Sequence, residues 1–169
     1  MEARSSLSIR QVALFGILGA LTFGAKFVMS YLPNIEPVSL LIMVYAVVIG
    51  RKALYPIYIY VILEIMVYGL GPWNFNYLYI WTLLCIAAYN MRRMTHPVAW
   101  AMLSGFFGLI FGLLCAPVDC IMGGISYAGA KWVSGIWFDL LHCGGNFVMA
   151  LVLFVPLRKL LGKLYRKIK

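Results

Sequence analysis

Long apolar runs separated by short polar segments organise the whole chain of 169 residues. Six such runs predict membrane-spanning helices, at residues 9–31, 38–50, 53–70, 76–91, 98–117 and 131–155. Several runs are shorter than the roughly 20 residues that a helix perpendicular to a bilayer needs. The second run is the shortest, so we expect its outer end to use backbone from the preceding loop. The pattern predicts an all-α membrane protein, a single domain built as a six-transmembrane-helix bundle.

Composition supports a bilayer as the solvent of this chain. Hydrophobic residues make up 64% of the sequence and charged residues 11%, against about 45–50% and about 25% in soluble domains. A soluble globule of this size would have too little polar surface to face water. The first apolar run is about the length of a span and lacks an A-x-A-type cleavage site, so it predicts a span rather than a signal peptide.

The net charge of +9 is distributed unevenly along the chain. All fourteen lysines and arginines except Lys26 and Lys131 fall on one side of the predicted spans. The positive-inside rule then places both termini in the cytoplasm and the chain in the plasma membrane as a multi-pass protein. Nucleic-acid binding is not indicated, because the charges lie at segment ends and form no stripe with interleaved aromatic residues.

The same assignment puts three connections outside the cell, at residues 32–37, 71–76 and 118–131. They are longer and richer in aromatic, glycine and amide residues than the short basic cytoplasmic turns at 50–52 and 92–97. Elaborate loops on one face predict that ligand recognition takes place there.

The sixth predicted span carries three polar residues at helical spacing, Asp139, His142 and Asn146. Offsets of three and four residues place them on one helix face. Polar groups in a membrane span usually face a cavity or a partner, so they contact either ligand or neighbouring helices. Glu64, in the third span, has Lys26 or His142 as its expected partner and is interpreted as structural.

The outer segments supply further candidates for ligand contact. Trp73, Tyr77 and Trp81 are typical of an aromatic belt, but neighbouring amides also suit a small molecule with a flat ring and polar edges. Glu36 and Asp119 serve loop structure or ligand, and Lys131 binds an anionic group or extends to the interface. The predicted binding residues are Asn34, Glu36, Trp73, Asn74, Asn76, Tyr77, Trp81, Asp119, Tyr127, Lys131, Asp139, His142 and Asn146.

Small residues recur every four positions in the first span, at Gly16, Ala20 and Gly24. Such a stripe allows another helix to approach closely. It serves either packing within this bundle or docking of another membrane protein. The segment 123–129, "GGISYAG", is interpreted as a flexible loop that closes over a ligand, although glycines also form ordinary turns.

Sequence motifs for catalysis are absent. The chain has no phosphate-binding G-x-x-x-x-G-K-[ST], no H-E-x-x-H and no G-x-S-x-G. The spacing of its four cysteines indicates neither a zinc site nor a disulfide framework. The polar residues within the spans also suit an alternative function. A self-contained proton-coupled carrier or small membrane enzyme would use Asp139, His142 and Glu64.

The whole chain resembles the substrate-binding S component of an energy-coupling factor (ECF) transporter, an importer of vitamins. The resemblance rests on six spans, cytoplasmic termini, the stripe of span one, and polar aromatic outer loops one, three and five. The segments "LPNIEP", "YGLGPWNFNYLY" and "GIWFDLLHCGGN" look most like cobalamin-type members, with riboflavin the next candidate.

The resemblance implies a vitamin bound near the outer surface and no intrinsic cofactor, metal or enzymatic activity. It implies a transmembrane scaffold subunit (EcfT-like) as a partner, contacted by Gly16, Ala20 and Gly24. Two cytoplasmic ATPase subunits would use ATP and Mg²⁺ to deliver the vitamin inward.

Overall fold

The computed structural model describes residues 7–31 and 35–168, and this part of the chain is entirely helical apart from short connections. The α-helices are α1 (Ile9–Met29), α2 (Val38–Ile49), α3 (Leu54–Tyr68), α4 (Pro72–Asn90), α5 (Pro97–Leu109) and α6 (Phe111–Ile168). A 3₁₀ turn at Gly50–Ala53 joins α2 to α3, and Ile110 joins α5 to α6. The described helices therefore form four continuous stretches.

Three of these stretches are long and apolar enough to cross a membrane: Ile9–Met29, Val38–Tyr68 and Pro97–Ile168. Large apolar side chains are exposed along them, as expected where lipid replaces water. The prediction of six separate spanning helices is wrong for the described residues. Spans two and three are joined by a 3₁₀ turn rather than a loop, and in the segment between spans five and six only Gly124 leaves the helical conformation.

Local sequence sets where the helices begin. Ser8 and Gln11 form a reciprocal cap at the start of α1, with both hydrogen bonds at 3.3 Å. A proline occupies the first turn of α4 and of α5, where its missing N–H costs nothing. The predicted outer loop at 71–76 is therefore mostly the first turn of α4, in which Asn74 Oδ1 accepts a hydrogen bond of 2.7 Å from the Gly71 N–H.

Gly124 reverses the direction of the chain inside α6. Its φ of +81° lies in the left-handed region that favours glycine, and it separates two helical halves at 111–123 and 125–168. The two halves contact each other. The Gly112 N–H donates to Asp139 Oδ1 at 3.0 Å, and Lys131 Nζ donates to Asp119 Oδ1 at 2.5 Å. The predicted long loop at 118–131, including "GGISYAG", is wrong, because only Gly124 departs from helical backbone.

Contacts between helices fix their relative directions. Helices α1 and α3 run the same way, since Phe15 stacks on Tyr55 and Lys26 pairs with Glu64. Helix α5 runs opposite to the second half of α6, with Trp100 stacked on Phe154 at 4.4 Å between ring centroids. Gly50, with a φ of +74°, sits at the turn from α2 towards α3.

The two ends of the bundle differ in charge. At one end Lys52 Nζ lies 3.5 Å from Gln11 Oε1, and Arg158 donates to the Met94 carbonyl at 3.3 Å. Arg51 and Arg92 both lie over the ring of Tyr89 there. The acids that the structure describes are in the other half, at Glu36, Glu64, Asp119 and Asp139, together with Lys26 and Lys131. The basic end thus contains no described carboxylate.

Candidate functional site

A cavity of about 510 Å³ lies between the start of α4 and the two halves of α6. Its volume is within the range of about 300–1,000 Å³ found for small-molecule sites. Its aromatic lining consists of Trp73, Phe111, Trp132 and Phe138. Its polar lining consists of Asn76, Asp119, Lys131, Ser134, Asp139 and His142. Six of the predicted binding residues therefore share this cavity: Trp73, Asn76, Asp119, Lys131, Asp139 and His142.

Asp139 is a buried carboxylate of the cavity wall, with 7% of the residue exposed. Its Oδ1 accepts the Gly112 N–H at 3.0 Å, whereas its Oδ2 has no hydrogen-bond partner among the described residues. A Cβ at position 112 would come within 2.5 Å of Oδ2. Glycine at this position therefore leaves the space that the carboxylate occupies.

His142 lies one helical turn further along the same face and is 4% exposed. Its ring contacts Phe111 edge-on, with 5.0 Å between centroids. Its Nε2 has no hydrogen-bond partner in the described chain, and the nearest carboxylate oxygen, Glu36 Oε1, is 3.9 Å away. Burial raises the pKa of the Glu36 carboxyl, and the nearby ammonium of Lys26 opposes that rise.

An ion pair borders the cavity on the α6 side. Lys131 Nζ lies 2.5 Å from Asp119 Oδ1, and the ammonium is 5.8 Å from the centre of the Tyr127 ring. The Lys131 side chain is half exposed while that of Asp119 is buried. Tyr127 thus lies beside Lys131, although it does not line the cavity itself. The charges of Asp119 and Lys131 neutralise each other.

The two asparagines of α4 have different environments. Asn76 lines the cavity and accepts a hydrogen bond of 3.0 Å from the Tyr79 hydroxyl, which also contacts the Leu114 carbonyl. Asn74 uses its Oδ1 as a helix cap, while its Nδ2 has no partner in the described chain. Tyr79 is therefore a supporting residue that the sequence did not single out.

Tyr77 and Trp81 lie outside the cavity lining, in a neighbouring polar and aromatic cluster. Lys26 Nζ contacts Glu64 Oε2 at 2.9 Å and the Tyr77 hydroxyl at 3.1 Å. Trp81 is fully buried and packs against the Tyr77 ring at 5.3 Å. Of the two partners expected for Glu64, Lys26 and His142, the structure shows Lys26.

Asn146 joins three helices. Its Nδ2 donates to Ser39 Oγ on α2 at 3.2 Å and to the Ser104 carbonyl on α5 at 3.3 Å. The polar face of α6 is therefore divided, since Asp139 and His142 line the cavity and Asn146 connects helices. Asn34, also predicted to bind ligand, lies outside the described residues.

The small-residue stripe of α1 points away from the bundle. A Cβ at Gly16 or Gly24 would meet no atom within 4 Å, and Ala20 is exposed. The glycine that packs against another helix is instead Gly19, where a Cβ would come within 2.5 Å of Ile59. Of the two roles weighed for the stripe, packing within the bundle is not seen.

Sequence reasoning missed most of the apolar lining, including Phe111, Gly112, Cys115 and Trp132. No single residue of this group carries a distinctive signal, because aromatic and small residues are frequent throughout the chain. Among residues 7–31 and 35–168, no group of three or more His, Cys, Asp or Glu side chains is placed to hold a metal ion.

Comparison with known proteins gives no relative: no family model matches the sequence, no curated protein is significantly similar to it, and no solved structure matches its fold.

Proposed function

We propose that this chain is a membrane-embedded substrate-binding subunit, the S component of an ECF-type importer. The observation that carries the proposal is the cavity between α4 and α6. It combines aromatic walls with two deeply buried polar atoms, Asp139 Oδ2 and His142 Nε2, that lack partners in the described chain. Buried polar groups are almost always hydrogen-bonded. Two such atoms beside the same cavity therefore support the proposal that a ligand supplies the missing partners there.

A multi-pass arrangement with both termini in the cytoplasm follows from this proposal. Gly50 and Gly124 would then mark turns at opposite membrane surfaces. The parallel course of α1 and α3, and the antiparallel course of α5 and the second half of α6, support it. The basic end would face the cytoplasm, as the positive-inside rule requires, and the cavity would open near the outer surface.

The ligand in this proposal is a vitamin or related micronutrient, with cobalamin and riboflavin as the candidates from sequence resemblance. The chain itself would hold no cofactor and perform no chemistry. A transmembrane scaffold and two ATPase subunits would supply ATP hydrolysis with Mg²⁺. The outward stripe of Gly16, Ala20 and Gly24 would be the docking surface for the scaffold, which is supported by its open surroundings.

A proton-coupled carrier is the second candidate, and the lack of partners at Asp139 Oδ2 and His142 Nε2 favours it as well. Glu64, the third residue expected to act in such a carrier, fits this function less well. Glu64 is committed to an ion pair with Lys26 at 2.9 Å, which leaves it less available to a transported proton.

Co-purification and uptake distinguish these two functions. An S component should co-purify with ATPase subunits and a scaffold, and uptake of its substrate should stop when ATP is removed. Uptake by the isolated chain in vesicles, driven by a pH gradient without ATP, would support the carrier and overturn the S-component proposal.

The site itself is tested by tryptophan substitution. Trp73→Ala should lower ligand affinity by about tenfold, since stacking of an aromatic wall contributes about 1 kcal/mol or more. Trp137→Ala is the matched control. Trp137 lies in the second half of α6, among residues that line the cavity, but it is 67% exposed and does not line the cavity itself. Equal effects of the two substitutions on affinity would contradict the assignment of the cavity.

Docking is tested separately. Ala20→Leu should block association with the scaffold and leave ligand affinity unchanged, because the side chain points away from the bundle. Gly19→Leu is the contrasting control: it should damage the α1–α3 packing itself, since Ile59 occupies that space. Loss of ligand binding alone in Ala20→Leu would count against the docking surface.

A further inference from the structure

We propose that the cavity selects an organic cation that carries a planar ring. This inference rests on the proposed function and names the chemical class of its substrate. Its basis is a juxtaposition within one cavity: a buried carboxylate without a counter-ion, Asp139, faces space walled by Trp73, Phe111 and Trp132.

The cations at the end of the bundle that contains the cavity are already paired with other groups. The cations described there are Lys26 and Lys131, and each is committed elsewhere. Lys131 Nζ pairs with Asp119, and Lys26 Nζ pairs with Glu64 and contacts the Tyr77 hydroxyl. The nearest carboxylate to His142 Nε2 is Glu36 at 3.9 Å, so a protonated His142 would face Glu36 rather than Asp139.

Asp139 is consequently left with one backbone donor. The Gly112 N–H satisfies Oδ1, while Oδ2 has no partner in the described chain. A buried carboxylate without a compensating charge is costly, and the cost disappears when a cation enters beside it. The cavity therefore has a place for one positive charge, brought by the ligand.

The aromatic walls favour the same class of ligand. Trp73, Phe111 and Trp132 line the cavity around this carboxylate. The negative face of an aromatic ring attracts an organic cation, most strongly in the case of tryptophan. The same rings stack on a planar ligand ring. A carboxylate together with tryptophan faces is the combination by which proteins recognise organic cations.

Size and hydrogen bonding narrow the class further. A cavity of about 510 Å³ accommodates a molecule with one or two rings, whereas a corrinoid macrocycle with its side chains exceeds this volume. His142 Nε2 and Asn76 supply polar contacts for nitrogen or oxygen atoms on the ring edge. The cavity therefore favours a small cationic heteroaromatic compound over cobalamin, and over the uncharged ring system of riboflavin.

The experiment is a binding comparison on the full-length chain in lipid nanodiscs, by calorimetry and tryptophan fluorescence. The cationic probes are thiamin and 1-methylnicotinamide. The uncharged and corrinoid probes are nicotinamide, riboflavin and cyanocobalamin. Nicotinamide is the matched control for 1-methylnicotinamide, since the two differ by one methyl group and the charge.

We expect each cation to bind at least about tenfold more tightly than nicotinamide or riboflavin. Asp139→Asn should lower cation affinity by about tenfold or more and leave the weak binding of the uncharged probes unchanged. Trp132→Ala, at a position that is 38% exposed, should lower cation affinity as well. This second variant keeps the test valid if Asp139→Asn fails to fold.

Three results would overturn the proposal: tighter binding of riboflavin or cyanocobalamin than of the cations, no cation binding up to about 1 mM, or unchanged cation affinity in both variants. The proposed function is judged by a different readout. Tight riboflavin or cobalamin binding with co-purified ATPase subunits would preserve the S-component assignment and reject only the cation. Cation binding by a chain that does not co-purify with ATPase subunits would preserve the cation proposal and reject the S-component assignment.

Discussion

Two buried carboxylates, Glu64 and Asp139, occupy neighbouring regions of the bundle in very different company. Glu64 is 2% exposed and its Oε2 lies 2.9 Å from Lys26 Nζ, which also contacts Tyr77. Asp139 is almost as deeply buried, yet among the described residues only the Gly112 N–H donates a hydrogen bond to it. Glu64 lies within packed helices, and Asp139 lies at the wall of a cavity.

Under the proposed function, partners rather than burial separate the structural carboxylate, Glu64, from the ligand-binding one, Asp139. A paired carboxylate stabilises the fold only as long as its counter-ion is present. An unpaired carboxylate costs stability and is retained where a ligand supplies the missing charge. The two carboxylates should therefore differ in their effects on the free energy of unfolding and on the affinity for cationic probes.

The largest expected effect comes from removing the counter-ion of Glu64. Lys26→Met should lower the free energy of unfolding by about 3–5 kcal/mol, because it leaves a buried carboxylate uncompensated. Asp139→Asn should leave the free energy of unfolding unchanged or raise it, because the removed charge has no cation in the described chain. Reversible unfolding in mixed detergent micelles measures both values.

The double variant Lys26→Met with Glu64→Gln is the control for this pair. It should recover most of the stability that Lys26→Met loses, since no buried charge then remains unpaired. If Asp139→Asn destabilises the protein as much as Lys26→Met does, the contrast between the two carboxylates is not real.

A smaller effect is expected at Asn146, which lies on the same helix face as Asp139 but has its partners in place. Asn146→Ala removes the hydrogen bonds to Ser39 and to the Ser104 carbonyl. Interhelical hydrogen bonds in membranes contribute about 1–2 kcal/mol, so the free energy of unfolding should fall by about that amount. Cation affinity should stay the same, and a selective loss of affinity would place Asn146 in the binding site.

The smallest effect on stability is expected at Gly112. A methyl group in Gly112→Ala would meet Asp139 Oδ2 at 2.5 Å and displace the carboxylate, which is the free end of a side chain. We expect a stability change of less than about 1 kcal/mol and a loss of cation affinity of about tenfold. Gly144→Ala on the same helix is the matched control, because its added Cβ meets nothing within 4 Å. Identical affinities in both variants would contradict the role of Asp139.

Much of the helical content could be predicted from the apolar pattern, including α1 and the pairing of Lys26 with Glu64. The boundaries of the helices were harder to predict from the sequence. Residues 71–76 and 118–131 look like loops because they contain glycine, proline and asparagine. Pro72 instead begins a helix, and only Gly124 leaves the helical conformation. Proline and glycine show that the backbone changes, but not whether a helix starts or continues there.

The cavity could be predicted only in part. The three-and-four spacing of Asp139, His142 and Asn146 correctly indicates one buried face, but the partners of each depend on what packs opposite. Asn146 meets Ser39 and Ser104, which are distant in sequence, so its connecting role could not be inferred. The ion pair of Asp119 with Lys131 likewise depends on the reversal at Gly124, which was interpreted as a loop.

Native mass spectrometry of the protein purified from its own cells tests the central claim most directly. The account predicts that the wild-type chain retains one small molecule per protein and that this molecule carries a positive charge in solution. The Asp139→Asn protein, purified in the same way, should retain much less of it. A wild-type chain without any bound small molecule, or equal retention by the Asp139→Asn protein, would contradict the claim that this cavity captures a ligand through Asp139.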